Sequence, residues 1–189
     1  MRARLAIPLL AAAVALAGAC GPTGPGEEGG DPVDPVALLS VLPSPGDLRG
    51  APAEPAGAEE LQRALTGAPD PAIAARLRER GLREAAVRRW EAPEGAVMVA
   101  SVSVWPSRLL ATGIGADAAR ALPGSEAWTP RELRGSRGAR VDAGGRRELR
   151  LSDAVGPNLL YVRAEGPVPD DVVARQLRRL VQAVQGTAF

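Results

Sequence analysis

The segment 170–186 carries the pattern that most restricts what this chain can fold into. Asp170 and Asp171 precede a run in which apolar residues recur at the spacing of one face of an α-helix. The apolar positions are Val173, Leu177, Leu180, Val181 and Val184, and the opposite face carries Arg175, Arg178, Arg179, Gln182 and Gln185. Gly186 is predicted to end the helix. Because a one-sided helix has to bury its apolar face, we expect it to lie across one face of a β-sheet.

Strand patterns upstream supply that sheet. The segment 96–105 alternates, with Met98, Ala100, Val102 and Val104 on one face and Val97, Val99, Ser101 and Ser103 on the other. Two further strands are predicted at about 146–155 and 159–165, on either side of the turn Gly156–Asn158. Their inward-facing residues are predicted to be Leu149, Leu151, Val155, Leu160, Val162 and Ala164.

The segment 82–91 is open to two interpretations. It can pair with 96–105 as a hairpin across the turn at 92–95, which we favour, or it can continue the preceding helix through Gly81. That preceding helix is predicted to begin at Asp70-Pro71, with the carboxylate capping the first turn and proline in the first helical position.

Two more helices complete the predicted architecture. One covers 58–65, and the other follows Ser107 and ends near Pro123-Gly124. The fold class that follows is α+β, an antiparallel sheet with helices packed on it, including the long amphipathic helix at the C-terminus.

The N-terminus resembles an export signal. Arg2 and Arg4 precede an apolar run at 5–16, which is typical of a secretory signal peptide and is shorter than the roughly 20 residues that span a bilayer. Leu16-Ala17-Gly18-Ala19 before Cys20, the only cysteine, resembles the lipobox of bacterial lipoproteins, in which the cysteine sulfur is acylated. That family usually has leucine three residues before the cysteine, a place held here by Ala17.

Two alternatives to lipidation of Cys20 remain open. Ala17-Gly18-Ala19 is also an ordinary signal peptidase site that would cut at the same bond, and Cys20 can form an intermolecular disulfide. The predicted organisation is a signal peptide at 1–19, a Gly/Pro-rich tether at 20–35 and a single α+β domain at 36–189, whose start is blurred between about 36 and 57.

Composition excludes several kinds of chemistry. The chain has no histidine, and all 23 basic residues are arginine, so imidazole acid–base catalysis, Schiff-base lysines and Cys/His metal sites are ruled out. We predict no catalytic residue, no cofactor and no metal. Loss of the signal peptide leaves 21 arginines against 22 acidic residues, a balance that argues against a nucleic-acid partner.

Two local patterns are given structural interpretations. Asp170 and Asp171 are assigned to capping and to the dipole of the last helix. The sequence GIGADA at 113–118 matches a dinucleotide-binding pattern, but its glycines fall inside a predicted helix instead of between a strand and a helix. We attribute Gly113 and Gly115 to close packing of that helix against the sheet.

A basic stretch is the one candidate site for a binding partner. It contains Arg131, Arg134, Arg137, Arg140, Arg146, Arg147 and Arg150, with glycines between them. One hypothesis is a loop that contacts anionic envelope components, such as lipid headgroups or acidic polymers. The other is a solvated loop and strand edge balanced by acids elsewhere.

The sequence VGPNLLYVRAEGPVPDDVVARQLRRLVQAV at 155–184, together with the lipobox, resembles uncharacterised lipoproteins of high-GC Gram-positive bacteria. Some of these have sensor-like extracytoplasmic domains with a twisted antiparallel sheet, a crossing helix after a central hairpin and a final helix packed on the sheet. The resemblance covers 80–189 in the order of elements.

The resemblance implies a membrane-anchored, extracytoplasmic, non-catalytic domain that binds a ligand or an envelope protein. The alternatives are a structural or assembly lipoprotein and, less favoured, an enzyme that uses only carboxylates and serine. A deep pocket would favour ligand binding, and a broad apolar patch would favour a protein partner. Two carboxylates that converge in a cleft would favour an enzyme.

Overall fold

The computed structural model describes residues 31–143 and 145–186. The predicted signal peptide, Cys20 and the tether up to residue 30 lie outside the described residues, and so do the side chains of Ala143 and Arg146.

The described strands form one antiparallel sheet. They are β1 Arg49–Gly50, β2 Glu54–Pro55, β3 Glu84–Glu91, β4 Val97–Val104, β5 Glu126–Ala127, β6 Arg137–Ala143, β7 Arg146–Val155 and β8 Asn158–Glu165. Their order across the sheet is β1-β3-β4-β8-β7-β6-β5, and β2 also pairs with β3. The hairpin interpretation of 82–91 is confirmed, since β3 pairs along its whole length with β4.

The described helices cover both faces of this sheet. They are α1 Pro35–Ser40, α2 Ala58–Thr66, α3 Pro71–Glu79, α4 Arg108–Arg120 and α5 Asp170–Val184. On one face α1 and α5 pack on the sheet through Leu39, Leu177 and Leu180. On the other face α2, α3 and α4 pack on it, with Leu61 and Ile114 among their buried residues. The α+β class and the amphipathic C-terminal helix are confirmed.

Burial of both faces explains the sequence of the central strands. Leu160, Val162 and Ala164 of β8 face α1 and α5 as predicted, but Leu159 and Tyr161 on the opposite face are buried as well. A strand between two helical layers has no solvent face and therefore loses the apolar–polar alternation of an exposed sheet. The helical layer formed by α2, α3 and α4 accounts for this pattern.

The segment 36–57, within which the sequence left the start of the domain undefined, belongs to the domain. Arg88 of β3 binds the backbone of this segment. The guanidinium donates hydrogen bonds to the carbonyls of Leu39 at 2.9 Å, Leu42 at 2.7 Å and Ala51 at 3.1 Å. It also lies 5.0 Å from the ring centroid of Trp90, which is fully buried. Arg88 thus joins α1 and the following loop to the sheet.

The chain enters the domain at the turn between β7 and β8. Asn158 is fully buried there, and its amide nitrogen donates to the carbonyl of Asp31 at 3.0 Å. Its amide oxygen accepts from the backbone N–H of Val33 at 3.1 Å. The β7–β8 turn, with the adjoining ends of β4 and β6, is called the tether end of the sheet below.

The two glycines of α4 have different surroundings. A Cβ at Gly115 would lie 2.7 Å from Oγ of Ser152 and 3.0 Å from Cδ1 of Leu159, so the close packing predicted for this glycine is confirmed. A Cβ at Gly113 would meet no atom within 4 Å, and the same prediction is wrong there.

Gly113→Ala is expected to raise the free energy of unfolding by about 0.5–1 kcal/mol, because alanine restricts the unfolded chain and favours the helix. Gly115→Ala is expected to lower it by about 1–2 kcal/mol, because the methyl group displaces Ser152 or Leu159. Urea unfolding followed by tryptophan fluorescence measures both. Equal effects of the two substitutions would contradict the packing described for Gly115.

Candidate functional site

A cleft of about 360 Å³ opens between α2 and the β2–β3 side of the sheet. Apolar residues in its lining include Ala56, Ala64, Val87 and Val99, and its arginines are Arg63, Arg89 and Arg163. We call it the arginine cleft. A cavity of this size is within the range of small-molecule sites.

Arg163 of β8 is the most enclosed of these cations. Its side chain is 4% exposed, its Nε donates to the carbonyl of Ala64 at 3.0 Å, and Nη1 pairs with Glu165. Burial lowers the pKa of Arg163 below the usual arginine value, yet a guanidinium stays protonated at neutral pH. The cleft therefore contains a fixed guanidinium next to apolar walls, and Glu165 offsets part of its charge.

The position of Arg163 follows from how the sheet holds the end of α2. Three neighbouring carbonyls of that helix accept hydrogen bonds from the sheet: Ala64 from Arg163, Leu65 from the Tyr161 hydroxyl at 2.7 Å, and Thr66 from Nη2 of Arg150 at 2.8 Å. Cations at a helix C-terminus are stabilised by its dipole. The sheet side chains thus satisfy carbonyls that α2 itself leaves unpaired.

Gly67 makes this approach possible. It ends α2 with φ of +87°, and a Cβ there would lie 2.6 Å from Nη1 of Arg163 and 3.2 Å from Oε1 of Glu165. A glycine after a helix is a visible signal in the sequence. The cation that packs against it comes from a strand 96 positions later in the chain, so its presence could not be inferred locally.

The rim of the arginine cleft carries both signs of charge. Arg63 and Arg89 are exposed, and Arg89 pairs with Glu91. Glu54 and Glu60 also lie on the rim, and Oε2 of Glu60 accepts the N–H of Gly57 at 3.1 Å. Glu60 therefore serves as a cap of α2. The carboxylates of Glu54 and Glu60 lie on the rim of the same cleft.

A buried ion pair lies beside the cleft. Nε of Arg150 and Oε1 of Glu148 are 2.7 Å apart, and each side chain is 1% exposed. Nη1 of Arg150 donates to the carbonyl of Ala118 at 2.8 Å. The placement of Arg150 in an exposed basic stretch is wrong: its guanidinium links α2 and α4 inside the domain. Burial also raises the pKa of the neighbouring Tyr161 hydroxyl.

A second pocket of about 350 Å³ lies among α2, α3 and α4. Leu65, Leu77 and Ile114 are among its apolar lining residues. Asp117 stands on its rim, and although burial opposes ionisation, hydrogen bonds from Arg120 and Arg80 outweigh it and lower the pKa of that carboxyl. These arginines are thereby occupied with an internal partner.

A third, wider depression of about 940 Å³ lies at the tether end of the sheet and is called the tether-end groove. It runs between the start of α4, the loop before β6, the β7–β8 turn and the second half of α5. Its charged residues are Arg108, Glu132, Arg134, Asp153 and Arg178. Arg178 pairs with Glu132 at 3.3 Å, and the Asp153 carboxylate accepts from Ser136 Oγ at 2.8 Å.

The structure divides the predicted basic stretch into two groups. Arg131, Arg134 and Arg137 lie near the tether end of the sheet, are exposed, and form no ion pair within the described residues. Arg140 and Arg147 lie nearer the opposite end and pair with acids. The loop interpretation is wrong for 137–143, which forms β6.

Asp170 and Glu126 are the acids that neutralise the second group. Asp170 lies in the first turn of α5 and contacts both Arg147 and Arg140, the latter at 3.8 Å. The hydrogen bond to Glu126 raises the pKa of the Arg140 guanidinium above its usual value. Pro169, and not Asp170, is the N-cap of α5, so the capping assignment is wrong in this detail. The aspartates still complement the helix dipole.

The described part of the chain offers no metal-ligating cluster of three or more His, Cys, Asp or Glu side chains. Within residues 31–143 and 145–186, every helix is too short or too polar to cross a membrane. The GIGADA pattern lies inside α4 and so lacks the strand–turn–helix context of a dinucleotide site.

Two helical layers enclose the antiparallel strands, and the arginine cleft opens between one of these layers and the sheet. The fold is similar to the crystal structure of the extracellular domain of PknH from Mycobacterium tuberculosis, with a TM-score of 0.58 and 13% sequence identity. The match covers 84% of this chain and all of that one. No protein-family model and no curated protein matches the sequence.

Proposed function

We propose that this chain is a lipid-anchored, extracytoplasmic, non-catalytic binding domain whose arginine cleft holds a small ligand with one anionic group. The observation that carries the proposal is Arg163, a guanidinium that is 4% exposed yet lines a cleft with apolar walls. Glu165 offsets part of this charge, and Arg63 and Arg89 place two further guanidinium groups around the same cleft, so an anion that enters it is attracted by all three.

The chemistry of the cleft selects the ligand class. Guanidinium groups bind carboxylates and phosphates through paired hydrogen bonds, and Val87 and Val99 suit a short apolar chain attached to that group. Glu54 and Glu60 on the rim repel a second anionic group. The preferred ligand is therefore a small amphiphile with a single carboxylate or phosphate.

Anchoring through Cys20 is supported by the lipobox-like sequence and is compatible with the extracellular fold. Acyl chains contribute about 0.8 kcal/mol per buried methylene, so a doubly acylated cysteine holds a protein at a membrane without a spanning helix. Incorporation of labelled fatty acid in the producing cell, lost in Cys20→Ala, is the expected result. Label that persists in Cys20→Ala ends the lipoprotein interpretation and leaves release by ordinary signal peptidase.

A structural or assembly role would call for a broad apolar surface. Among the described residues, the large hydrophobic side chains that remain exposed are Val41 and Leu109. Ligand binding therefore has the better support.

Ligand binding is tested with octanoate and octyl phosphate as probes, by calorimetry on residues 20–189 carrying Cys20→Ser. Dissociation constants of about 10⁻⁵–10⁻³ M are expected for ligands of this size. Arg63→Gln and Arg89→Gln should each weaken binding about tenfold, since a hydrogen bond to a charged group is worth about 1.5 kcal/mol. Arg163 is kept, because it also holds α2.

Two controls make this test specific to the cleft. Arg120→Gln removes an equal charge outside the arginine cleft and should leave the affinity for octanoate unchanged. Methyl octanoate, which lacks the anionic group, should bind at least tenfold more weakly than octanoate. Equal binding of ester and acid, or unchanged affinity in both cleft variants, would contradict the proposed ligand class.

A further inference from the structure

The place where the chain enters the domain and a group of unpaired arginines lie at the same end of the sheet. Asp31 and Val33 hydrogen-bond to Asn158, and the tether-end groove is lined by Val155 and Gly156 of the same turn. Arg108 belongs here too, because Val104 at the end of β4 pairs with Asn158. The tether thus joins the domain beside a group of unpaired positive charges.

That charge is not neutralised within the described part of the chain. Arg108, Arg134 and Arg137 are exposed and have no ion pair or side-chain hydrogen bond there, and Arg131 is exposed nearby. In the tether-end groove, Arg178 and Glu132 pair with each other. Among the described residues of the groove lining, Asp153 is then the one carboxylate that faces these arginines. The tether end therefore has an excess of positive charge, whereas Arg140 and Arg147 towards the other end are paired.

An apolar side chain stands at the same place. Leu109 follows Arg108 in the first turn of α4, and 82% of it is exposed. Arginines beside an exposed leucine are typical of surfaces that rest on a lipid headgroup layer, where the cations meet phosphates and the apolar group enters the interface.

The sequence distance to Cys20 makes the contact geometrically possible. Ten residues separate Cys20 from Asp31, and a chain of that length spans at most about 38 Å even when fully extended. A domain of this size is about 40 Å across. An anchor at Cys20 therefore lets the tether end touch the membrane, while the opposite end of the sheet lies about one domain diameter further away.

We propose that Arg108, Arg131, Arg134, Arg137 and Leu109 form a docking surface for anionic phospholipid headgroups, which holds the domain on the membrane with its tether end inward. This inference rests on the proposed membrane anchoring and concerns a surface separate from the arginine cleft. The cleft then remains free to bind its ligand.

The test uses residues 20–189 with Cys20→Ser, so that binding does not depend on acylation. Vesicles of phosphatidylcholine with 30% phosphatidylglycerol, a composition chosen as about that of a strongly anionic membrane, should bind the protein in sedimentation at low salt. Pure phosphatidylcholine should not, and about 0.5 M NaCl should abolish binding by screening. The triple variant Arg108→Gln/Arg134→Gln/Arg137→Gln should bind about 100-fold more weakly, since each arginine contributes about fivefold.

A matched variant controls for net charge. Arg49→Gln/Arg120→Gln/Arg175→Gln removes the same charge from exposed positions away from the tether end and should lose at most a few-fold of the affinity. Equal losses in the two triple variants, or no vesicle binding at low salt, would overturn the proposal.

An environment-sensitive fluorophore reports the orientation directly. Attached to Leu109→Cys in the Cys20→Ser protein, it should shift to the blue on anionic vesicles, whereas the same label at Glu91→Cys, at the opposite end of the sheet, should not. Binding to soluble polyglutamate as strong as to vesicles, with no shift at Leu109→Cys, would assign the surface to acidic polymers and overturn the membrane proposal. Neither result affects octanoate binding in the cleft, so the two proposals fail separately.

Discussion

Replacing Arg150 with methionine is expected to lower the free energy of unfolding by about 3–5 kcal/mol, the cost of breaking a buried ion pair by removing one partner. Three bonds disappear together: the one to Glu148 at 2.7 Å and those to the carbonyls of Ala118 and Thr66 at 2.8 Å each. The carbonyls that remain are at the ends of two helices and cannot regain water without opening the core. A methionine side chain fills much of the space of the arginine side chain. The loss of unfolding free energy therefore measures the lost polar contacts more than the cost of a cavity.

Urea unfolding measures this effect, because Trp90 and Trp105 are fully buried and report loss of structure. Tyr161→Phe, which removes a single hydrogen bond to Leu65, should cost about 1 kcal/mol and so gives an intermediate value. Arg120→Met is the matched control, since the Arg120 side chain is 75% exposed and its pair with Asp117 contributes at most about 0.5 kcal/mol. A loss in Arg150→Met no larger than in Arg120→Met would refute the bridging role of Arg150.

Gly138→Ala is expected to be the second strongly destabilising change, with a loss of about 3 kcal/mol. A Cβ at Gly138 would lie 2.4 Å from the carbonyl oxygen of Trp128 and 2.7 Å from that of Arg150. Both are backbone atoms and cannot move aside as a flexible side chain can. The N–H of Trp128 also donates to the Gly138 carbonyl at 3.0 Å, so relief of the clash has to disturb the β5–β6 edge.

The comparison for Gly138→Ala is Gly113→Ala, where the added methyl group meets nothing within 4 Å. Amide hydrogen exchange should show faster exchange along β6 in Gly138→Ala and no change there in Gly113→Ala. Equal unfolding free energies in the two variants would show that the Trp128 carbonyl leaves room for a methyl group at Gly138, and would contradict this prediction.

Much of the architecture was predictable because its signals are local. The stripe of Val173, Leu177 and Leu180 predicts α5 and its buried face, and Asp70 marks the start of α3, where its Oδ1 accepts the N–H groups of Ala72 and Ile73. The strand β6 was missed because its sequence, RGARVDA, has valine as its only β-branched residue, and its pairing with β7 comes from register across the sheet.

The arginine cleft was not predictable, because its residues come from distant parts of the chain. Arg63 lies on α2, Arg89 on β3 and Arg163 on β8, and in the sequence each looks like any other surface arginine. The basic stretch, in contrast, was visible as a run of like charge, yet only the register of β6 and β7 and the position of Asp170 separate its paired from its unpaired members.

Periodicity and composition, which act over neighbouring residues, were enough to predict the α+β class and the amphipathic last helix and to exclude histidine and lysine chemistry. They left the segment 82–91 open between a strand and a helix, and its pairing with β4 resolves this. Which arginines are buried, which are neutralised and which remain free follows from the packing of the folded chain. Burial and pairing of a charge depend on desolvation and on partners brought together by the fold, and no run of neighbouring residues encodes them.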